Sequence, residues 1–129
     1  MSVFKIDGVE YPSVYVTKLT RSFNILDGEN AGRVKIGDMV RDVIGTYYNY
    51  SMELDTSEAS LAEYDALYEV LSSPDDYHTV VVPYGQTTLE FKAYITNGDD
   101  ELLSMENKRN LWGKLKVNFI AMQPQRRPS

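Results

Sequence analysis

From Ile44 to Asp55 the chain alternates between two kinds of residue. The even positions are Ile44, Thr46, Tyr48, Tyr50, Met52 and Leu54; the odd positions are Gly45, Tyr47, Asn49, Ser51, Glu53 and Asp55. A period of two puts the first set on one face of a pleated strand and the second on the other. The run has no proline and is rich in tyrosine, which suits a strand inside a sheet rather than at its border. The even face is expected to be core and the odd face polar. A sheet with one apolar face must be covered by a second layer, so this strand alone demands a layered, antiparallel architecture.

Residues 58–72 supply part of that cover. They read as an amphipathic helix with Ser57 as N-cap, Glu58 and Glu63 near the positive end of its dipole, and a stripe of Leu61, Tyr64, Leu67 or Tyr68, and Leu71. Ser72-Ser73-Pro74 stops it. Elsewhere the chain reads as strands. Residues 4–6 and 9–11 form a hairpin about Asp7-Gly8. Residues 13–25 form a longer strand with Val14, Val16 and Phe23 inward and Lys18 and Arg21 outward. Residues 26–38 are polar and punctuated by glycine, and read as a long loop with a short strand at 34–36. Residues 77–83 and 87–96 form a second hairpin, with Leu89, Phe91, Ala93 and Ile95 inward. Residues 101–110 are polar and irregular, an exposed loop or short helix. Residues 111–122 form the last strand, anchored by Trp112, with Leu115, Val117, Phe119 and Ala121 inward. Residues 123–129 read as an extended tail. The expected fold class is α+β: a mostly antiparallel β-sandwich or split β-barrel with one flanking amphipathic helix, in a single domain over 1–129.

At 129 residues the chain is long enough to bury one real core. It has no cysteine, which excludes disulfides and thiolate metal sites. No apolar run approaches the roughly 20 residues that span a bilayer, and the first residues lack the pattern of a signal peptide. The net charge is -6, and residues 42–91 hold ten acidic and no basic side chains. A grip on nucleic-acid phosphates needs lysine and arginine, so that span is not one. It suits a solvated acidic helix face, a surface that repels phosphate, or one that docks a basic partner.

Little in the chain carries chemistry. His78 is the only histidine, and it reads as a structural residue at a strand start. Asp27, Glu29 and Asn30 do not match the spacing of a calcium loop. No serine sits on a nucleophile turn, and Gly28 to Gly32 lacks the Lys-Ser/Thr of a phosphate loop. The expectation is no catalytic residue, no metal and no cofactor: a protein that is not an enzyme.

Three stretches occur together: Arg21-Ser-Phe with Asp27-Gly and Ala31-Gly-Arg33; Gly37-Asp-Met-Val-Arg-Asp-Val-Ile-Gly-Thr-Tyr-Tyr-Asn-Tyr50; and Pro83-Tyr-Gly-Gln with Phe119-Ile-Ala-Met-Gln-Pro124. The combination covers most of the chain and resembles small structural proteins from the tail regions of prophages and long-tailed phages of Gram-positive bacteria. The resemblance implies a tail tube, tail adaptor or tail terminator subunit that self-assembles into a ring. Its place would be the virion tail, after synthesis in the host cytoplasm. Its partners would be copies of itself and other phage tail proteins, with no membrane. DNA would pass through without specific binding, helped by an acidic lumen. The interface residues expected on this reading are Tyr47 and Asn49 on the tyrosine strand, Arg33 and Lys35 in the long loop, and Arg126 and Arg127 in the tail. The acidic span 42–91 of one copy would meet the basic span 92–129 of the next. The alternative is a receptor- or carbohydrate-binding accessory module of the tail tip that uses Tyr47, Tyr84, Tyr94 and Trp112.

Overall fold

The computed structural model describes residues 3–28, 32–33, 37–56, 61–106 and 108–128. Among these the elements run β1 (Lys5–Ile6), β2 (Val9–Glu10), β3 (Tyr15–Asp27), β4 (Gly32–Arg33), β5 (Met39–Val40), β6 (Val43–Asp55), α1 (Leu61–Leu71), β7 (His78–Tyr84), β8 (Thr87–Tyr94), β9 (Gly98–Glu106) and β10 (Arg109–Ala121). The main sheet has the order β2-β1-β7-β8-β10-β6-β3, with β9 paired to β10 beside this path; β4 and β5 form a separate ribbon. Every pairing is antiparallel.

β10 joins the two halves. Leu115 to Phe119 pair with β6, while Ile120 and Ala121 pair with Tyr94 and Ala93 of β8. The path starts at β2 and ends at β3, so the sheet is not closed into a barrel. The observed class is mostly antiparallel sheet with one helix.

The core gathers from both halves. β6 buries Tyr50, Met52 and Leu54, as its alternation requires, and β10 buries Leu115, Val117, Phe119 and Ala121. They meet Val80 and Val82 of β7, Phe91 and Ala93 of β8, and Tyr64, Leu67 and Leu71 of α1. The helix stripe therefore packs as its spacing predicts, while Tyr68 stays exposed. Two buried tyrosines tie the layers with polar ends. The Tyr50 hydroxyl donates to the Pro83 carbonyl at 2.8 Å. The Tyr64 hydroxyl donates to Asp100 Oδ2 at 3.1 Å, and burial together with the Asp100 charge pushes that phenol far above its usual range. At the helix end the Ser72 and Ser73 hydroxyls donate to the carbonyls of Tyr68 and Val70.

Four expectations need correction. Phe23, expected inward, is 64% exposed, and Ile44 is 39% exposed. The register pairs Leu19, Arg21, Phe23 and Ile25 with Met52, Tyr50, Tyr48 and Thr46, so all eight side chains share the core side of the sheet. The β3–β6 ribbon outruns the body, however, and among the described residues Phe23 and Ile44 near its far end stay exposed. Arg21, expected outward, lies on that same side. An irregularity between Val16 and Lys18 explains this: one extra residue in β3 shifts the inner set from Val14 and Val16 to odd positions. Of residues 101–110, expected as loop or short helix, 101–106 belong to β9 and 109–110 to β10, which pairs with it. They look polar because β9 is a border strand that buries little of itself.

Within the stretch 26–38, expected as a loop, Gly32–Arg33 form strand β4. β3 continues to Asp27, whose two carboxylate oxygens accept from Arg41 Nε at 2.8 and 2.9 Å. The short strand expected at 34–36 and the Ser57 cap lie outside the described residues. Among the described residues no helix is long and apolar enough to cross a membrane.

Candidate interaction surface

The overrunning end of the β3–β6 ribbon forms one wall of a groove of about 470 Å³. Arg21, Phe23 and Ile25 come from β3, Thr46 and Tyr48 from β6, Tyr84 from the end of β7, and Arg126 from the C-terminal segment. Local chemistry explains each position. The β3 and β6 residues are where the shared face of the ribbon leaves the core. Tyr84 is fixed by the tight turn that follows it, where Gly85 takes φ +56°.

The C-terminal segment arrives because β6 has unpaired backbone where β10 turns away to β8. Thr46 N donates to the Arg126 carbonyl at 2.8 Å, and Gln125 N donates to the Thr46 carbonyl at 3.0 Å. The Gln125 side chain imitates a strand: its Oε1 accepts from Tyr48 N at 2.8 Å and its Nε2 donates to the Tyr48 carbonyl at 2.9 Å. Gly45 makes this approach possible, since a Cβ there would lie 2.5 Å from the Arg126 carbonyl oxygen and 2.6 Å from Pro124 Cβ. Residues 124–126 are thus held on the sheet, and Arg127 is exposed beyond them.

Two cations and two phenols meet in the groove. The Tyr48 and Tyr84 rings stand edge to face with centroids 5.2 Å apart, and the Arg21 guanidinium lies 5.4 Å from the Tyr84 centroid. Hydrogen bonds from Tyr84 first and Arg126 second lower the Tyr48 phenol, while the bond to Tyr48 raises Tyr84. Among the described residues neither Arg21 nor Arg126 has a carboxylate partner. The groove is therefore cationic, aromatic at its base and apolar along Phe23 and Ile25, on a chain whose net charge is -6. It can hold carboxylates beside apolar groups.

Of the residues expected at an interface, Arg126 alone is placed in this groove. Tyr47 is half-buried and packs against the core, so removing it reaches folding as well as surface. Asn49 has a structural task, its Oδ1 accepting from Ala121 N at 2.9 Å. Arg33 lies in β4, in the separate ribbon, and Lys35 lies outside the described residues. The aromatic residues of the alternative reading do not converge. Tyr84 lines the groove above, whereas Trp112 lines another of about 360 Å³ with Asp65, Glu69 and Asp100. Sequence reasoning missed Arg21 and Phe23 as site residues; the signal was there in a strand that mixes an arginine and exposed aromatics, but its parity depended on an unseen bulge.

His78 is buried and engaged with Asp7, and the serine that lines the groove, Ser22, donates its hydroxyl to the Asn49 carbonyl at 3.4 Å. Compared with models of known protein families and with curated proteins, the chain matches none.

Proposed function

We propose that the protein is a structural subunit of a phage or prophage tail, a tail tube, tail adaptor or tail terminator component that self-assembles into a ring in the virion tail. The observation that carries this reading is the edge of β3. It is 13 residues long, and among the described residues it pairs with β6 alone. Long regular edges are templates for pairing with another chain, and monomeric proteins usually shorten, bend or cover them. Here the edge also carries Phe23, Ile25 and Leu26, exposed to 64, 48 and 47%. An exposed apolar row beside an open edge is a surface that another chain covers.

The two halves of the sheet, folded over one core as a β-sandwich with a single helix, are what the resemblance to tail subunits implies. On this reading the partners are copies of the same chain and other tail proteins, and DNA passes without being gripped. No observation favours the receptor- or carbohydrate-binding alternative, since its aromatic residues are dispersed. Light scattering after size exclusion, with negative-stain microscopy, tests the proposal. Rings or stacked rings are expected at raised concentration; a monomer across the whole accessible range overturns it.

A further inference from the structure

We infer that the contact between copies is formed by β9 of one subunit adding to the open edge of β3 of the next, with the β9 carboxylates meeting Arg21 and Lys18. The inference rests on the self-assembly reading and names the two surfaces that would touch. Four observations carry it.

The first is polarity. In the half-sheet β9-β10-β6-β3 each neighbour is antiparallel, so β9 and β3, its two borders, run in opposite directions. A second copy set alongside in the same orientation presents its β9 antiparallel to β3. No flip is needed, and the contact is head-to-tail, the kind that closes a ring or propagates a filament.

The second is charge. β3 carries Lys18 and Arg21, with Asp27 only at its end, whereas β9 carries Asp99, Asp100, Glu101 and Glu106 and no basic residue. Two β3 edges repel each other, and so do two β9 edges, because like charges directly opposed on paired strands are destabilising. Only the mixed pairing is attractive. The charges thus serve as guards against the wrong partner and as contacts to the right one.

The third is the sharing out of those charges between faces. Asp100 accepts from the core residue Tyr64, and Leu102 pairs with Trp112, so both belong to the core side. Asp99 pairs with Lys116, and Glu101 lies 3.6 Å from Lys114 on the outer side. On β3 Arg21 is on the core side and Lys18 on the outer side. With Arg21 opposite Asp100 on the core side, antiparallel order leaves Lys18 diagonal to Glu101 on the outer side, so each face of the new pair sets a base near an acid. The Glu101–Lys114 pair is more than 60% exposed on both sides, so Glu101 can be shared with a second cation at little cost.

The fourth is apolar surface. With Arg21 set opposite Asp100, antiparallel order brings Leu102, 43% exposed, against the half-buried Leu19 of β3. Burying these together supplies the driving force that charge alone does not.

The chain has no cysteine, which makes disulfide trapping clean. Ser22→Cys and Asp99→Cys proteins, whose altered positions this register sets opposite each other on the outer side, are mixed and oxidised mildly. A mixed disulfide dimer is expected, absent from either variant alone and from Asp99→Cys mixed with Val9→Cys, which tests the β2 border. In parallel, Lys18→Glu and Glu101→Lys are each expected to raise the concentration for half-assembly by roughly tenfold, and the double variant to restore it. Thermal melts confirm that all variants are folded. If copies assemble but neither the Ser22–Asp99 disulfide nor the charge rescue appears, this contact is wrong while the self-assembly reading stands. If the wild-type chain never leaves the monomer, both are overturned.

Discussion

His78 Nδ1 lies 2.7 Å from Asp7 Oδ2, which joins a buried ring at the start of β7 to the turn of the N-terminal hairpin. The other carboxylate oxygen accepts from Thr79 N at 2.8 Å, and Asp7 N donates to the Thr79 carbonyl at 2.7 Å. Asp7 and Gly8 take φ of +52° and +83°, the pair of left-handed residues that a two-residue hairpin turn needs. One residue thus makes the turn and fastens it to the sheet. Asp7→Ala leaves the buried His78 without its partner, and a loss of about 1–3 kcal/mol is expected. Chemical denaturation checks it, and a loss below a few tenths would mean the contact is idle.

The same residue sets a pH dependence. Burial pushes the Asp7 carboxyl up, but hydrogen bonds from His78 and Thr79 and the His78 charge outweigh this and leave it below its ordinary 3.8. A carboxyl depressed in the folded state stabilises above its unfolded value and ceases to as the pH falls through the folded one. Stability from this group should therefore hold at neutral pH and fade only in acid, below about pH 4. Asp7→Asn should flatten that acid limb. Denaturant midpoints at several pH values measure it, and an equally steep acid limb in Asp7→Asn would place the titration elsewhere.

The contrast between Leu67 and Tyr68 tests the helix. Leu67 has no exposed surface and Tyr68 is 38% exposed. Leu67→Ala should cost about 2–5 kcal/mol, the range for emptying a closed core site. Tyr68→Ala should cost distinctly less, since the site opens onto solvent and water fills the gap. Paired denaturation curves decide it, and equal losses would show that the helix is seated differently.

How much of this could be read in advance follows from where each signal lives. The inner residues of β6 beyond Tyr48, those of β10, and the helix stripe Tyr64, Leu67 and Leu71 were legible, because burial imposes a period and the period survives in the sequence. Phe23 and Ile44 were not. Their period is that of the core face, but whether a face is covered depends on how far the opposing half-sheet extends, which no local pattern records. β9 was missed for the opposite reason: a border strand needs little burial, so its acidic residues hide its period. Arg21 fell on the wrong side because a single bulge in β3 inverts parity. The groove inherits these blind spots, being built where a ribbon leaves the core, from a strand of shifted parity and a tail distant in sequence.

That tail gives the last prediction. Gly45 is buried beneath it, and a methyl group there would press on the Arg126 carbonyl at 2.5 Å and on Pro124 at 2.6 Å. Gly45→Ala should therefore lift residues 124–126 from β6. It breaks the Thr46 and Tyr48 hydrogen bonds to Arg126 and Gln125 and withdraws Arg126 from Tyr48. Overpacking of this kind costs about 1–3 kcal/mol. Two readouts should move together: trypsin should cleave after Arg126 faster than in the wild type, and the Tyr48 phenol, deprived of its guanidinium, should titrate higher in ultraviolet absorbance. Gln125→Ala, which removes the strand-like side chain without any clash, should reproduce both in weaker form. If Gly45→Ala destabilises while tail cleavage and phenol titration stay unchanged, the glycine matters for the backbone of β6 and the tail is not what it accommodates.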